Sequence, residues 1–183
     1  MSKIVAFCGE RKSGKDFFCE HLERVEEGVQ RLSFSDEVRR LACELHPWLP
    51  FYFSPEEKDK PYLHPNNPRR LTPREIWLNV GKVREVEPDY FVKRFKTEQY
   101  EQFDGKTGII TDFRTPEEYA FLKEAGIPIF KIVRVNREGI EPCLFEAYIR
   151  TFDKFDGIFY NHMDGTDAFM QFWASVKGAS NNA

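Results

Sequence analysis

The chain has 183 residues and a formal net charge of −3, with 41% hydrophobic and 15% aromatic residues. This length and composition are typical of a globular domain and exclude a disordered chain. The small negative charge gives no basis for binding nucleic acid or an anionic membrane, so an anion site must be local. The sequence has no signal-peptide pattern and no apolar stretch of roughly 20 residues, which predicts a cytoplasmic protein with no membrane or nucleic-acid partner.

The first part of the chain alternates strand and helix patterns. Residues 3–7 form a short apolar run closed by Gly9, which predicts a buried strand before a tight turn. From Asp16 to about Glu27, apolar residues recur at helical spacing and end near Gly28. A second strand is predicted over 29–35, and a second helix follows it. The order of strand, glycine-bearing loop and helix is the one that a phosphate-binding loop requires.

The middle of the chain has a different composition. Residues 46–73 contain seven prolines, together with many aromatic and charged residues. Because proline removes backbone donors and breaks helices, this stretch predicts an irregular lobe. The alternative is a disordered linker, for which so many large aromatic residues would be unusual. Two helical segments, 73–86 and 89–100, follow it.

The last part of the chain returns to alternating strands and helices. Apolar runs predict strands at 109–112, 127–135 and 155–161. Helices are predicted at 115–126, 139–152 and 166–177. The first of these has Thr115 as a candidate N-cap, Pro116 as its first residue and Gly126 as its stop. The alternation predicts an α/β fold with a mostly parallel five-stranded sheet and helices on both faces.

One motif carries recognisable chemistry. The segment "CGERKSGKD", residues 8–16, has the spacing G-x-x-x-x-G-K of a loop whose backbone N–H groups cradle phosphates. Lys15 would supply a point positive charge to the transferred phosphate. The alternative is a glycine-rich turn with a solvated lysine, which the flanking strand and helix disfavour.

An acid follows Lys15 where the common pattern has Ser or Thr. A second acid, Asp112, ends the strand predicted at 109–112, at the sheet edge where open α/β sheets bind ligands. Because Mg²⁺ is held by one or two carboxylates plus waters, we interpret Asp16 and Asp112 as a metal-side pair. The alternatives left open are a helix cap for Asp16 and a cap or turn acid for Asp112.

Two further residue types bear on the chemistry. Arg114 follows Asp112 by two residues, so on an extended strand both side chains would project to the same side. A guanidinium there could grip phosphoryl oxygens as charge develops. The four cysteines lack C-x-x-C spacing, which predicts neither a zinc site nor a disulfide framework, and Cys8 is not expected to be catalytic.

Four segments together resemble a known family: "CGERKSGKD", "SPEEKDKP", "TPREIWLNVGKVREVEPDYFV" and "ITDFRTPEEYAFLKEAG". They resemble the deoxynucleoside monophosphate kinases of bacteriophages, a branch of the P-loop kinases, over most of residues 3–165. The resemblance implies a three-layer nucleoside-monophosphate-kinase-like fold with an inserted substrate-binding lobe. Animal-type phosphomevalonate kinases resemble the chain in "RKSGKDF" and in the Asp-x-Arg pattern, so the loop does not separate the two families.

The resemblance implies roles for particular positions. The ATP-binding residues it implies are Gly9, Arg11, Lys12, Ser13, Gly14, Lys15, Asp16, Asn161, Gly165 and Thr166, the last three near the adenine. The acceptor-binding residues it implies are Ser35, Arg39, Lys58, Arg74, Trp77, Arg84 and Asp89. The implied catalytic residues are Lys15, Asp16, Arg114 and Glu146, and the implied Mg²⁺ ligands are Asp16 and Asp112. Candidate lid arginines are Arg134, Arg137 and Arg150.

Residues and resemblance together predict an ATP- and Mg²⁺-dependent kinase of deoxynucleotide biosynthesis that converts a deoxynucleoside 5′-monophosphate to the diphosphate. The aromatic lobe favours a nucleotide acceptor, because base stacking on an aromatic ring contributes about 1–3 kcal/mol in nucleic-acid complexes. The alternatives left open are phosphomevalonate kinase, another small-molecule P-loop kinase, and a non-catalytic nucleotide-binding module.

The domain organisation expected is a single kinase domain over residues 1–178 with a disordered tail at 179–183. Within it we expect an inserted lobe at about 46–98 and a lid at about 136–152. The compartment would be the host cytoplasm if the chain is phage-encoded. A homodimer is left open.

Overall fold

The structure is a computed structural model that describes residues 3–136, 138 and 147–179. The chain divides into two compact units: Met1–Leu32 with Phe103–Ala183 form the first, and Ser33–Gln102 form the second. The lobe expected at about 46–98 falls within the second unit, which also includes the helix before it. No helix in the described ranges is both long and apolar enough to cross a membrane.

The first unit is built on a five-stranded sheet. Its strands are β1 (Lys3–Cys8), β2 (Val29–Leu32), β3 (Thr107–Ile110), β4 (Ile129–Arg134) and β5 (Gly157–Asn161). All neighbouring pairs are parallel, in the order β2-β3-β1-β4-β5. The chain leaves β1 toward β2 but leaves β3 toward β4, so the strand order reverses between β1 and β3. The carboxyl ends of these two strands therefore flank the crevice where open α/β sheets bind ligands.

The described residues contain seven α-helices. They are α1 (Lys15–Val25), α2 (Phe34–Leu45), α3 (Pro73–Gly81), α4 (Tyr90–Phe95), α5 (Pro116–Glu124), α6 (Ala147–Thr151) and α7 (Asp167–Ala179). Of these, α1, α5, α6 and α7 belong to the first unit. On one face, Phe18 of α1 and Trp173 of α7 join Val5 and Phe7 of β1 in a buried apolar cluster. The β3-α5-β4 connection runs across the sheet in the opposite direction, so right-handed crossover places α5 on the other face. The predicted α/β class is confirmed.

The second unit is helical, with an irregular segment. Helices α2, α3 and α4 bury Val38, Ile76 and Phe91 in a shared core. Residues 46–72 contain turns but no helix or strand. In this segment the side-chain amide of Asn67 donates to the carbonyls of Tyr62 and Leu71 at 2.7 and 2.9 Å. In a helix or strand, backbone N–H groups would bond these carbonyls. This buried side chain therefore satisfies part of the loop's backbone and fixes its conformation.

Two strand boundaries were predicted wrongly. The second strand ends at Leu32, not at residue 35, because the Gln99 amide side chain bonds both backbone groups of Ser33, at 2.9 Å to its N–H and 2.8 Å to its carbonyl. The third strand ends at Ile110, so Asp112 lies two residues beyond it. The inference that Asp112 and Arg114 project to one side of an extended strand therefore loses its basis.

Candidate functional site

The loop between β1 and α1 has a conformation that only glycine tolerates at two positions. Gly9 and Gly14 have φ angles of 154° and 104°. A Cβ on Gly9 would lie 2.4 Å from the carbonyl oxygen of Ile132, and a Cβ on Gly14 would lie 2.4 Å from Asn161 Nδ2. The loop is thus packed tightly against neighbouring backbone and side chains, and the two glycines of the motif have a steric reason to be there.

The end of the loop fits an anion. Gly14 is the N-cap of α1 and provides no side-chain cap, so the first N–H groups of the helix point into the loop without that partner. Lys15 is 5% exposed, and its Nζ lies 3.3 Å from Asp16 Oδ2. Ser13 is 1% exposed, and its Oγ has no hydrogen-bond partner in the part of the chain that the structure describes. A buried hydroxyl without a partner is costly, and a phosphate oxygen would satisfy it.

Asp16 is hydrogen-bonded by the residue that directly follows β3. Thr111 Oγ1 donates a hydrogen bond of 2.8 Å to Asp16 Oδ1, and Thr111 is 1% exposed. The Asp16 side chain remains 57% exposed. The N-cap of α1 is Gly14, and the Asp16 carboxylate bonds Thr111 and Lys15. The Asp16 side chain therefore does not cap the helix in this structure. Thr111 was missed from the sequence, although it directly precedes Asp112.

The segment after β3 is anchored on both sides of Arg114. Phe113 is buried and packs edge-on against Phe152 at 5.5 Å between ring centroids. The buried Glu118 carboxylate accepts hydrogen bonds from the backbone N–H groups of Arg114, at 2.5 Å, and Thr115, at 3.2 Å. Thr115, predicted as the N-cap of α5, forms a capping box with Glu118, and this box also fixes the backbone that carries Asp112 and Arg114. The catalytic role of Arg114 and the metal-binding role of Asp112 stay predictions.

Two candidate lid arginines contact the phosphate loop itself. Arg134 donates from its Nη1 to the carbonyl of Lys12 at 3.5 Å, and Arg150 Nε lies 3.8 Å from Glu10 Oε2. Both arginines therefore contact the part of the loop between Gly9 and Ser13. The other lid arginine, Arg137, and the predicted catalytic residue Glu146 lie outside the described residues.

Asn161 hydrogen-bonds the phosphate loop from β5. It is 3% exposed, its Nδ2 donates to the carbonyl of Ser13 at 2.8 Å, and its Oδ1 accepts from the N–H of Met163 at 2.9 Å. The amide of Asn161 is thus hydrogen-bonded to the phosphate loop. The adenine contacts that the resemblance implies for Asn161, Gly165 and Thr166 stay predictions.

In the second unit, the predicted acceptor residue Trp77 is covered by an arginine. The guanidinium carbon of Arg39 lies 5.2 Å from the centroid of the Trp77 ring, and Arg39 Nη1 donates to Asp36 Oδ1 at 2.7 Å. Phe53 packs edge-on against the same ring at 6.0 Å. Trp77 Nε1 is buried and lacks a hydrogen-bond partner among the described residues. The sequence indicated the ring and the arginine but not Asp36, which orients the arginine.

The remaining predicted acceptor residues already have partners within the second unit. Arg74 bonds both oxygens of Asp59, with 3.2 Å for the Nη2 contact, and Arg84 lies over the Phe91 ring at 4.5 Å. Three others form local contacts: Ser35 Oγ with Ser33 Oγ, Asp89 with Lys93 Nζ, and the carbonyl of Lys58 with the N–H of Arg74. The structure thus presents the side chains of Arg74, Arg84, Ser35 and Asp89 as paired groups, whereas Lys58 bonds Arg74 through its backbone carbonyl. The binding of an acceptor by these residues stays a prediction.

The chemistry available at the site is electrostatic. Burial raises the pKa of the Cys8 thiol to about 12, which keeps it protonated and unfit as a nucleophile. Within residues 3–136, 138 and 147–179, no group of three or more His, Cys, Asp or Glu side chains is arranged to hold a metal ion. A carboxylate such as Asp16, more than half exposed beside a phosphate loop, still fits Mg²⁺, which binds through few carboxylates together with phosphates and waters.

The sheet order, with a G-x-x-x-x-G-K loop after its central strand, defines a P-loop kinase-like fold. Solved structures with this fold superpose over nearly the whole chain. TT1252 from Thermus thermophilus matches with a TM-score of 0.53 at 15% identity, covering 97% of both chains. The tunicamycin resistance protein of Deinococcus radiodurans matches with a TM-score of 0.51 at 15% identity, covering 97% of this chain and 96% of its own. No family model and no curated protein matches the sequence.

Proposed function

We propose that the chain is a Mg²⁺-dependent kinase that transfers the γ-phosphoryl group of ATP to a deoxynucleoside 5′-monophosphate, giving ADP and the diphosphate. The observation that carries the proposal is the loop at the β1/β3 crevice, with a buried lysine, a glycine as the helix N-cap, and a Ser13 hydroxyl that has no hydrogen-bond partner among the described residues. All three suit a polyanion. The P-loop kinase-like fold further supports a nucleotide-using enzyme.

The nucleotide acceptor rests on the second unit. Trp77 offers an aromatic ring beside Arg39, and cationic groups come from Arg74 in the same helix and from Arg84 in the 3₁₀ turn that follows it. An aromatic ring with guanidinium groups suits a ligand that has both a base and a phosphate. We therefore assign the donor nucleotide to the first unit and the acceptor to the second.

The reaction needs little proton transfer. An anionic oxygen of the acceptor phosphate attacks the γ-phosphorus, a new P–O bond forms, and the bond to the β–γ bridging oxygen breaks as ADP leaves. Lys15 and the loop N–H groups hold the donor phosphates, while Arg114 screens charge that develops on the transferred group. Asp16 and Asp112 would hold Mg²⁺, which neutralises the phosphates when bound. Catalysis then depends on positioning and charge neutralisation.

An assay that couples ADP release to a spectroscopic signal tests the acceptor. We expect turnover with one or more deoxynucleoside monophosphates and none above background with phosphomevalonate. Turnover with phosphomevalonate alone would favour the phosphomevalonate kinase alternative. ATP binding without turnover on any acceptor would favour a nucleotide-binding module, and either outcome contradicts the proposal.

A pair of lysine variants tests the donor site. Lys15→Ala removes the buried cation, and we expect kcat to fall by a factor on the order of 10²–10³, as when one charge-stabilising group is removed from an active site. Lys106→Ala removes an exposed lysine next to the start of β3, where its Nζ lies 3.6 Å from Glu27 Oε2, and should retain most of the activity. Equal rates for the Lys15→Ala variant and the unmodified protein, with folding intact by circular dichroism, would rule out the phosphate-loop assignment.

A matched pair of tryptophan variants tests the acceptor site. Trp77→Ala should raise the KM for the nucleotide acceptor about tenfold or more while leaving the KM for ATP within about twofold, since a stacked base contributes about 1–3 kcal/mol. Trp48→Ala is the control, because Trp48 lies in the same unit and stacks on His64 at 5.0 Å. Equal changes in the two KM values for Trp77→Ala would indicate a packing role for that ring.

A further inference from the structure

The Thr111–Asp16 hydrogen bond explains the acid that interrupts the common loop pattern. In that pattern, a Ser or Thr after the lysine supplies a hydroxyl to the metal ion. Here the loop carries the carboxylate of Asp16, and the hydroxyl comes from Thr111, 95 residues later in the chain. A carboxylate therefore occupies the loop position that has a hydroxyl in the common pattern, and a hydroxyl from the end of another strand donates to that carboxylate.

The geometry constrains the carboxylate. Ile109 packs in the apolar cluster that includes α1, and two residues further on Thr111 reaches Asp16 of the same helix. Asp16 Oδ1 accepts from Thr111 at 2.8 Å, and Oδ2 lies 3.3 Å from Lys15 Nζ. With both oxygens oriented and the side chain 57% exposed, the carboxylate is fixed but still accessible.

We propose that Thr111 is a positioning residue that orients the Asp16 carboxylate for the divalent cation of the nucleotide complex. The carboxylate then takes the role that the loop hydroxyl has in the common pattern. The inference rests on the proposed function, since it needs a nucleotide-bound metal ion beside the loop. Thr111 is buried, and its hydroxyl donates its hydrogen to Asp16. Thr111 therefore acts through that carboxylate and not by contact with the substrate. Because Asp112 follows it directly, the same contact ties the loop to the second metal-side acid.

Isothermal titration calorimetry with ADP, with and without Mg²⁺, tests the inference without relying on turnover. Thr111→Val keeps the side-chain volume and removes the donor, while Thr111→Ser keeps the hydroxyl. We expect Thr111→Val to leave metal-free ADP affinity within about twofold and to reduce the gain in affinity caused by Mg²⁺ about tenfold. The Thr111→Ser variant should retain at least half of that gain. Thr111→Ala serves in place of the valine variant if the latter is unfolded by circular dichroism.

A double-mutant cycle with Asp16→Asn separates positioning from packing. If Thr111 acts through Asp16, the Asp16→Asn/Thr111→Val protein will lose no more of the Mg²⁺ gain than Asp16→Asn alone. Additive losses, an unchanged Mg²⁺ gain in Thr111→Val, or equal losses in the serine and valine variants would overturn the inference while leaving the nucleotide site intact. Failure of the unmodified protein to bind ADP would instead overturn the proposed function and the inference with it.

Discussion

Replacing Asn161 is expected to loosen the phosphate loop and lower stability together. Its amide makes two hydrogen bonds from a 3% exposed position, to the carbonyl of Ser13 and from the N–H of Met163. In Asn161→Ala the carbonyl of Ser13 loses its hydrogen-bond donor. Because Ser13 is 1% exposed, this loss costs about 1–3 kcal/mol, and the loss of the bond from the Met163 N–H costs about 1 kcal/mol more. We therefore expect a loss of about 2–4 kcal/mol in the free energy of unfolding.

Thermal unfolding measures this loss. At roughly 2–4 °C per kcal/mol for a chain of 150–250 residues, the Tm of Asn161→Ala should fall by about 4–16 °C. Asn161→Asp is the matched variant, because it keeps an acceptor for the Met163 N–H but has no donor for the Ser13 carbonyl. Its Tm should also fall, since a carboxylate would then face the carbonyl oxygen of Ser13 without a hydrogen to donate.

Ligand binding separates the loop-bracing role from an adenine contact. If Asn161 braces the loop, both variants will bind ATP and inorganic tripolyphosphate more weakly by similar factors. Weaker binding of ATP with unchanged binding of tripolyphosphate would mean that the amide acts on the base. That result, or a Tm of Asn161→Ala within about 1 °C of the unmodified protein, would refute the bracing role.

Three further changes have expected outcomes. Asp16→Ser restores the common loop pattern and should weaken activation by Mg²⁺ in the kinase assay; an unchanged Mg²⁺ dependence would contradict a metal-side role for this acid. Gly9→Ala places a Cβ 2.4 Å from a backbone carbonyl of β4 and should lower the Tm strongly, whereas Gly81→Ala, at a helical position with space for the methyl group, should leave it unchanged or slightly higher. Burial raises the pKa values of the Cys8 and Cys19 thiols from 9.0 to about 12. Because only the unfolded thiols ionise between pH 9 and pH 12, the Tm should fall as the pH rises through that range, and a flat profile up to pH 10.5 would contradict this.

The fold of the first unit followed from local signals. Thr115, Pro116 and Gly126 marked the ends of α5 because capping bonds and the φ preferences of these residues act within a few positions. Strand ends were less predictable. The backbone of Ser33 is bonded by the side chain of Gln99, 66 residues later, and no nearby residue indicates where β2 stops.

The acceptor side was only partly predictable. Aromatic and arginine residues drew attention to Trp77 and Arg39, but the carboxylates that orient arginines in this unit, Asp36 and Asp59, had no motif to distinguish them. An acid that pairs with an arginine is identified only when the helices and loops that carry the two side chains are folded together.

The sequence by itself determined the phosphate loop, because the spacing of its glycines and its position between an apolar strand and an amphipathic helix are local properties. The tertiary structure alone decided what surrounds that loop. Thr111 orients Asp16 from 95 residues away, and Asn161 bonds the loop from 148 residues away. These contacts depend on the parallel order that places β3 and β4 on either side of β1 and β5 beside β4, and strand order is fixed by the packing of the whole sheet.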